Sequence, residues 1–310
     1  MLIFNILTDG LFLSSRNISN LFNQMGYIAV LAVGMTLVIV IRHIDLSVGF
    51  MAGFLGAIAA RLLRDGMHVL PTILIVLALG TVFGFVNGFW VAKIGLPSFV
   101  ATLAGMLIFR GALLLFTQST GTIIVTNDTF NQIGNGFIPD VLGKGDIHLL
   151  TLTIGLAIIG FYIYSEIKTR NNKIKYNFEV LSTPIFILKL LFISAIVFYI
   201  FWILANYNGL SWTFVITLAI TFIYHILTTK TVLGRHIYAV GGNPEAARLS
   251  GIDVQKITLF VFGSMGFLTA ISGILYTSRL NLQHLTLEHC LNSMLLQLHT
   301  LVVSLRRWGW

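Results

Sequence analysis

Two stretches of this chain carry side chains that could pair charges or bind a partner. The shorter one is Arg42-His43-Ile44-Asp45, which stands between two long apolar runs. Ionisable groups beside membrane spans are functional candidates, because a charge is costly in lipid. Asp45 could pair with Arg42 or cap the helix that follows, and capping is the stronger expectation. The chemistry available here is charge pairing and hydrogen bonding.

The longer stretch, 233–256, reads LGRHIYAVGGNPEAARLSGIDVQK and is polar enough that it must lie in water. Its middle has the residue order of a short helix: a cap, a proline at the first position, an acid, a base near the end and a terminating glycine. These residues are Asn243, Pro244, Glu245, Ala246, Ala247, Arg248 and Gly251. About two turns of helix are marginal alone in water. The stretch therefore predicts either a docking helix or an ordinary loop with one helical turn.

Motifs for catalysis are missing from the sequence. The GKG at Gly143 lacks the upstream glycine and the Ser or Thr that a phosphate-binding loop requires. The eight histidines have no metal-ligand spacing, and the single cysteine, Cys290, excludes a cysteine metal site. We expect no metal, no cofactor and no enzyme activity.

The composition is that of a membrane protein. Hydrophobic residues make up 56% and charged residues 10%, with a mean hydropathy of +0.91, whereas soluble domains carry about 25% charged residues. Spans of ~20 apolar residues form helices in lipid, so the sequence predicts an all-α polytopic transmembrane bundle of eight to nine spans. Eight are clear: Met25–Ile41, Leu46–Ala60, Val69–Val91, Ser98–Phe116, Leu149–Tyr164, Ile185–Ala205, Trp212–Leu227 and Ile257–Tyr276. The second is short and is expected to pack inside the bundle.

Charges in the connections predict the orientation. Lys and Arg cluster at 168–175 and 230–256, two spans apart, so both loops should be cytoplasmic, and 116–148 should lie outside. The run Asn171–Thr183 is expected to be a solvated linker, or else a regulatory insert. The net charge of +8 thus sets topology and does not indicate nucleic-acid binding. Thr8–Asn23 is expected to be a polar surface segment.

Three blocks carry a resemblance to a known family. GRHIYAVGGNPEAARLSGI (234–252), AVGMTLVIVIRHIDLSVG (32–49) and LPSFVATLAGMLIFRG (96–111) are similar to signatures of the ABC-type monosaccharide permeases, which serve ribose, galactose and xylose importers. The segment 8–24 and the middle of the chain are most like the xylose branch. The resemblance runs from about Thr8 to Asn281.

The resemblance implies a permease subunit that passes a monosaccharide, D-xylose or another pentose, across a bacterial-type cell membrane. It implies an ATPase subunit bound on the cytoplasmic side by Gly242–Gly251, with Ser250 included, an extracytoplasmic sugar-binding protein, and a permease homodimer. Asp45, Ser47 and Gly49 match a motif that suggests gating or coupling. Four polar or amphipathic groups stand where a sugar path could run, although each could equally be an interhelical hydrogen bond: Asn87, Trp90, Ser98 and Thr102.

Two alternatives stay open. A self-contained secondary transporter or channel would need buried carboxylates inside the spans for ion coupling, and the third to eighth predicted spans carry none. The other alternative is a non-functional permease fragment. In the family a complete helix precedes the Thr8 segment, so the chain is expected to begin inside or just after that helix.

The last 29 residues, 282–310, do not resemble the family. Read one nucleotide earlier, the codons of 294–298 permit Asp-Ala-Ile-Ala-Ala, and those of Val302 and Val303 permit Gly-Gly, as the family has. The sequence therefore predicts a permease domain over 1–281, with its coupling loop at 230–256, and a frameshifted, non-native tail over 282–310. A poorly packed ninth apolar helix is expected at Met294–Ser304.

Overall fold

The computed structural model describes residues 10–118, 123–125, 127–143 and 147–280, with Phe4, Leu7, Thr8 and the backbone of 282–283. This part of the chain is almost entirely helical, which confirms the all-α prediction. The helices are α1 (Ser15–Val40), α2 (Val48–Arg64), α3 (Val69–Ala92), α4 (Ser98–Thr117), α5 (Asp128–Asn135), α6 (Leu149–Lys175), α7 (Thr183–Ala205), α8 (Trp212–Lys230), α9 (Val232–Gly242), α10 (Pro244–Leu249) and α11 (Val254–Leu280). A 3-10 turn, Leu11–Leu13, precedes them, and two short strands, β1 (Ile123–Ile124) and β2 (Leu282–Gln283), pair antiparallel.

Seven helices of the described residues are long and apolar enough to cross a membrane: α1, α3, α4, α6, α7, α8 and α11. The predicted second span forms as α2, which has only 17 residues. At 1.5 Å per residue it is about 26 Å long, shorter than the ~30 Å hydrocarbon core. Most of α2 is buried, as predicted for a span inside the bundle. The predicted helix at Met294–Ser304 lies outside the described residues.

Two predicted boundaries are wrong. α1 begins at Ser15, so half of the segment predicted to be polar surface is helical. Ile18, Leu21 and Phe22 recur there at helical spacing. α6 continues to Lys175, well into the predicted linker, because Lys, Arg and Glu propagate a helix in water as readily as leucine does in lipid.

The chain forms two compact units, and the larger comprises 23–136 and the residues from Trp212 onward. Its centre is α11, which packs against α2 and α3 through glycines. A Cβ atom on Gly84 would lie 2.9 Å from Gly266 Cα, and one on Gly273 would lie 2.5 Å from the Ala52 carbonyl oxygen. Small residues at four-residue spacing let two helix backbones approach this closely. We call the contact of α3 with α11, in which Gly80 and Gly84 face Gly266 and Gly88 faces Phe262, the glycine seam.

The smaller unit, 1–22 and 137–211, contains the α6–α7 hairpin. Gly155 of α6 packs against the Phe201 ring of α7. At the other end of the hairpin Lys189 Nζ lies 2.9 Å from Glu166 Oε1. The N-cap of α6 is His148, whose Nδ1 accepts from the Thr151 N–H at 3.3 Å, and Asp140 Oδ2 accepts from the Leu149 N–H at 2.7 Å. Most of the surface of the hairpin is exposed.

Candidate functional site

The non-helical connection 41–47, between α1 and α2, is the centre of a buried polar network. Asp45 Oδ1 accepts hydrogen bonds from the Ser47 N–H at 2.9 Å and from Ser47 Oγ at 2.6 Å. Ser47 Oγ in turn accepts from Asn87 Nδ2 at 2.8 Å. All three side chains are buried. The contact fixes the connection to the interior face of α3.

Helix α4 satisfies the backbone of the same connection from the other side. The Leu46 N–H donates to Thr102 Oγ1 at 3.1 Å, and the Ile44 N–H donates to Ser98 Oγ at 3.2 Å. The Thr102 hydroxyl itself donates to the Ser98 carbonyl at 2.8 Å. Buried non-helical backbone needs hydrogen-bond partners from elsewhere in the protein. The side chains of α4 replace the helical hydrogen bonds that the connection lacks.

The structure thus brings together five of the seven residues that the sequence singled out for gating or for a sugar path. These are Asp45, Ser47, Asn87, Ser98 and Thr102, which we call the polar network. Gly49 is buried beside them in the first turn of α2. Trp90 is not part of the network: it is 44% exposed and its ring packs edge-on against Phe89 at 6.0 Å.

Neither role expected of Asp45 is observed. Ser47 is the N-cap of α2, and the Asp45 carboxylate bonds Ser47 rather than an N–H of the first helical turn. Arg42 points elsewhere, because its Nη2 donates a 2.6 Å hydrogen bond to the Gly242 carbonyl. Asp45 therefore shapes the connection and leaves its own charge without a cationic partner among the described residues.

Burial dominates the electrostatics of this connection. The second carboxylate oxygen, Asp45 Oδ2, is buried and has no hydrogen-bond partner among the described residues. Burial raises the pKa of Asp45 from 3.8 to about 6, although its two bonds from Ser47 act in the opposite direction. Burial also lowers the pKa of His43, because the imidazolium form is desolvated. A group that titrates near pH 6 thus lies where three helices meet.

The second candidate stretch folds as its sequence predicted. α10 spans Pro244–Leu249, and Asn243 Oδ1 accepts from the N–H groups of Glu245 at 3.0 Å and Ala246 at 3.1 Å. Gly251 has a φ of +83°, a left-handed conformation that ends the helix at little steric cost. The predicted N-cap, first-position proline and terminating glycine are confirmed.

The surface of α10 is divided into an anchor and an exposed face. Ala247, 4% exposed, packs into an apolar cluster with Ile237, Val240 and Val261. Glu245 and Arg248 are exposed, and Leu249 is 89% exposed. One large apolar side chain thus lies exposed next to two charged side chains. The sequence analysis did not single out Leu249, because helical spacing marks a core face and not an outward one.

A direct contact joins the end of α9, immediately before α10, to the end of α1 and the connection 41–47. The residue before the α10 cap, Gly242, accepts the hydrogen bond from Arg42, and Gly241 packs against the backbone of Val40. Arg42 has a φ of +62°, which is unusual for a residue with a side chain. Two residues separate Arg42 from Asp45. Displacement of the α9–α10 corner would therefore also displace the connection 41–47.

Comparison with known proteins agrees with this architecture. Residues 17–142 and 141–305 match the family described as branched-chain amino acid transport system / permease component. The chain belongs to this permease family. It is a multi-pass membrane protein, and family membership confirms that it is a transport subunit and not an enzyme.

Curated relatives narrow the comparison. The chain is 38% identical over 283 residues to the xylose transport system permease protein of Haemophilus influenzae, covering 90% of this chain and 72% of that protein. The same identity relates it to the xylose transport system permease protein of Escherichia coli K12, covering 90% and 69%. The ribose import permease protein of Haemophilus influenzae is 32% identical, covering 87% and 63%. No solved structure matches the chain.

Proposed function

We propose that this permease is the membrane subunit of an ATP-driven sugar importer, with D-xylose or another pentose as substrate. The observation that supports it best is the 38% identity to two xylose transport system permeases, carried over 90% of this chain. An extracytoplasmic binding protein would deliver the sugar, and two permease copies would form the translocation unit. The capped and exposed α10 supports an ATPase partner.

The proposed coupling route begins at α10. The ATPase contacts Glu245, Arg248 and Leu249 on the exposed face of the surface Gly242–Gly251. A partner shifts a conformational equilibrium only if it binds the two states differently, so the ATPase must displace this corner between outward and inward access. Gly242 passes the displacement to Arg42, and the connection 41–47 passes it to the helices that hold it.

The polar network is the part of the permease that responds. Asp45, Ser47 and Gly49 act in gating, because they form the connection and the start of α2. Asn87, Ser98 and Thr102 bridge that connection to α3 and α4. Their hydroxyl and amide groups are of the kind that binds sugar hydroxyls once the helices separate. Trp90 is exposed on α3 and would meet the sugar only at the edge of such a path.

Sugar uptake by cells tests the proposal. The chain and the chain with 282–310 read in the alternative frame are expressed with a xylose-importer ATPase and binding protein, in a strain lacking its own pentose permeases. At least one version should take up labelled xylose and stimulate ATP hydrolysis. Glu245→Ala with Arg248→Ala should lower uptake about tenfold or more, as for interface hot spots, while membrane insertion is unchanged.

A matched control removes an equal number of charges from the same predicted side of the membrane. Lys175→Ala with Glu179→Ala changes one base and one acid, both exposed and both far from α10 in the chain, and should leave uptake unchanged. If neither frame supports uptake, the importer assignment is wrong. If the α10 variant transports as well as the control, the docking surface is wrong.

The proposed frameshift has its own test. The nucleotide sequence, read one base back from Leu282, should encode Asp-Ala-Ile-Ala across codons 294–297. Unrelated residues or a stop codon in that frame would mean that 282–310 is native sequence.

A secondary transporter is the second candidate, and one observation favours it. Asp45 is a buried carboxyl group, its Oδ2 has no hydrogen-bond partner among the described residues, and burial raises its pKa, although it lies in a connection and not inside a span. Uptake that survives ATP depletion but stops when a protonophore collapses the proton gradient would establish this candidate. The opposite pattern would exclude it.

A further inference from the structure

A cavity of about 330 Å³ opens between α6 and α7 where the two helices are joined. It lies wholly within the smaller unit and takes no part in the coupling route. Its lining combines charged, polar and apolar side chains: Glu166, Thr169, Arg170, Lys173, Glu179, Val180, Leu181, Phe186 and Lys189.

The positive charge of this cavity exceeds the negative charge that faces it. Of the two acids, Glu166 is paired with Lys189 at 2.9 Å, and Glu179 is exposed on the connection between the helices. Arg170 and Lys173 then stand against Glu179 alone, so the lining has a net charge of +1. Two further lysines of α6, Lys168 and Lys175, lie outside the lining.

Arg170 is held in place but incompletely bonded. Its Nη2 donates to Thr183 Oγ1 at 3.0 Å, and its guanidinium stacks 4.5 Å from the Phe186 ring centroid. Its other terminal nitrogen, Nη1, is buried and has no hydrogen-bond partner among the described residues. A buried charged donor without an acceptor is unfavourable. An anionic oxygen entering the cavity would supply that acceptor after a small rotation of the guanidinium.

The length of α6 places the cavity at the membrane surface. Its 27 residues extend about 40 Å, whereas the hydrocarbon core is ~30 Å thick. About 20 residues from Leu149 cross that core, so Arg170 and Lys173 fall at headgroup level. The charge pattern places this end in the cytoplasm. From Phe186 onward α7 presents large apolar side chains to the lipid, among them Leu188, Leu191 and Phe192.

We propose that this cavity binds the headgroup phosphate of an anionic phospholipid, with the acyl chains lying along the apolar surface of α7. Arginine forms charge-assisted hydrogen bonds with phosphate, and basic pockets between helices on the cytoplasmic side suit acidic headgroups. The apolar track beside the cavity favours a lipid over free phosphate, which would need no such track. The proposal goes beyond the transport function and does not depend on it.

Lipid binding to the purified full-length chain tests this site. The chain in neutral detergent is titrated with phosphatidylglycerol, phosphatidylcholine or inorganic phosphate, and bound molecules are counted by native mass spectrometry. We expect phosphatidylglycerol to bind about tenfold more tightly than phosphatidylcholine. Arg170→Gln with Lys173→Gln should weaken phosphatidylglycerol binding about tenfold, as expected when a charge-assisted bond is lost.

The control removes two other positive charges from the same helix. Lys168→Gln with Lys175→Gln should change the affinity by less than about threefold, because neither side chain lines the cavity. If the double variant at Arg170 does not fold, Lys173→Gln alone removes an exposed side chain and should still weaken binding more than the control. Equal losses in both variants, no preference for phosphatidylglycerol, or binding of phosphate alone would overturn the proposal.

Discussion

The α6–α7 hairpin and the bundle around α11 are both built from apolar helices, yet these helices differ in how much of their surface is buried. The most apolar stretch of α7 has a mean hydropathy of 2.5, and only 17% of it is buried. The corresponding stretch of α11 has a mean hydropathy of 1.8, and 72% of it is buried. The more apolar helix is the more exposed one. In a membrane, apolar content marks contact with lipid and is a poor guide to the core.

Small and hydroxyl-bearing residues mark the core instead. The buried face of α11 includes Gly263, Gly266 and Gly273 with five hydroxyl side chains: Thr258, Thr269, Ser272, Thr277 and Ser278. Lipid tails solvate leucine as well as another helix does, so helix association in membranes relies on close backbone approach and hydrogen bonds. Four predictions test this contrast, from the largest expected effect to the smallest.

A leucine introduced into the glycine seam should give the largest effect. In Gly84→Leu the new Cβ would meet the Phe262 carbonyl oxygen and Gly266 Cα, and overpacking of this kind costs about 1–3 kcal/mol or more. The yield of monodisperse protein and its unfolding temperature should both fall. Gly160→Leu in α6 is the control, because nothing lies within 4 Å of its Cβ position. A Gly160 variant as damaged as the Gly84 variant would erase the contrast.

The buried carboxyl of the bundle should give stability a dependence on pH. The folded state raises the pKa of Asp45 from 3.8 to about 6, so it favours the protonated form. This contribution is fully present below about pH 3.8 and is lost as the pH rises through about 6, a difference of about 3 kcal/mol. About half of this difference should be recovered between pH 7.5 and pH 5.

Asp45→Asn isolates this contribution. His43 also titrates, and its lowered pKa acts in the opposite direction, so the informative quantity is the difference between the two proteins. The unfolding temperature of the parent chain, relative to the variant, should rise by roughly 2–4 °C on acidification from pH 7.5 to pH 5. Parallel pH profiles would show that Asp45 titrates normally.

Removal of one hydroxyl group should also destabilise the bundle more than the hairpin, although by less than the changes above. Thr102→Val removes the acceptor of the Leu46 N–H and should destabilise the protein by about 1–2 kcal/mol, because a buried donor is left unpaired. Thr153→Val in α6 removes a hydroxyl that bonds only the Leu150 carbonyl of its own helix, and it should change stability by less than ~0.5 kcal/mol. Denaturant titration of both proteins in one detergent compares them directly, and equal losses would contradict the role of Thr102.

The ion pair of the hairpin should contribute least. Both side chains of Lys189 and Glu166 are about one-third exposed, and such pairs are worth about 0–1 kcal/mol. A double-mutant cycle with Lys189→Met and Glu166→Gln should give a coupling energy within that range. A coupling above ~2 kcal/mol would mean that the hairpin, too, is held by specific polar contacts.

Local rules predicted what is local in this fold. The beginning and end of α10 could be predicted from Asn243, Pro244 and Gly251, because capping interactions lie within one turn of the helix terminus. Composition and periodicity likewise placed seven spans and the buried α2. The bond from Arg42 to Gly242 was missed because 200 positions separate its partners, and no spacing rule reaches that far. The hydrogen bond between Asn87 and Ser47 was missed for the same reason.

Trp90 shows the limit of reading a span by residue type. It lies one helical turn from Asn87, and the sequence predicts that both line a sugar path. In the structure Trp90 is exposed beside Phe89. Indole rings prefer the boundary between membrane and water, so position along the span, and not polarity, decided its environment. Which face of a uniformly apolar helix turns inward depends on its neighbours, and those are not encoded within the helix.

The central position of α11 has a consequence for how the protein is made. α2 leaves the ribosome early, carrying Arg61 and Arg64 and too short to cross the membrane alone, whereas α11 begins 190 residues after α2 ends, at Val254. At about 5–20 residues per second, translation leaves α2 without its main neighbour for roughly 10–40 s. We expect the insertion machinery to shelter α2 during that interval, so that α2 packs into the bundle only after α11 has been synthesised.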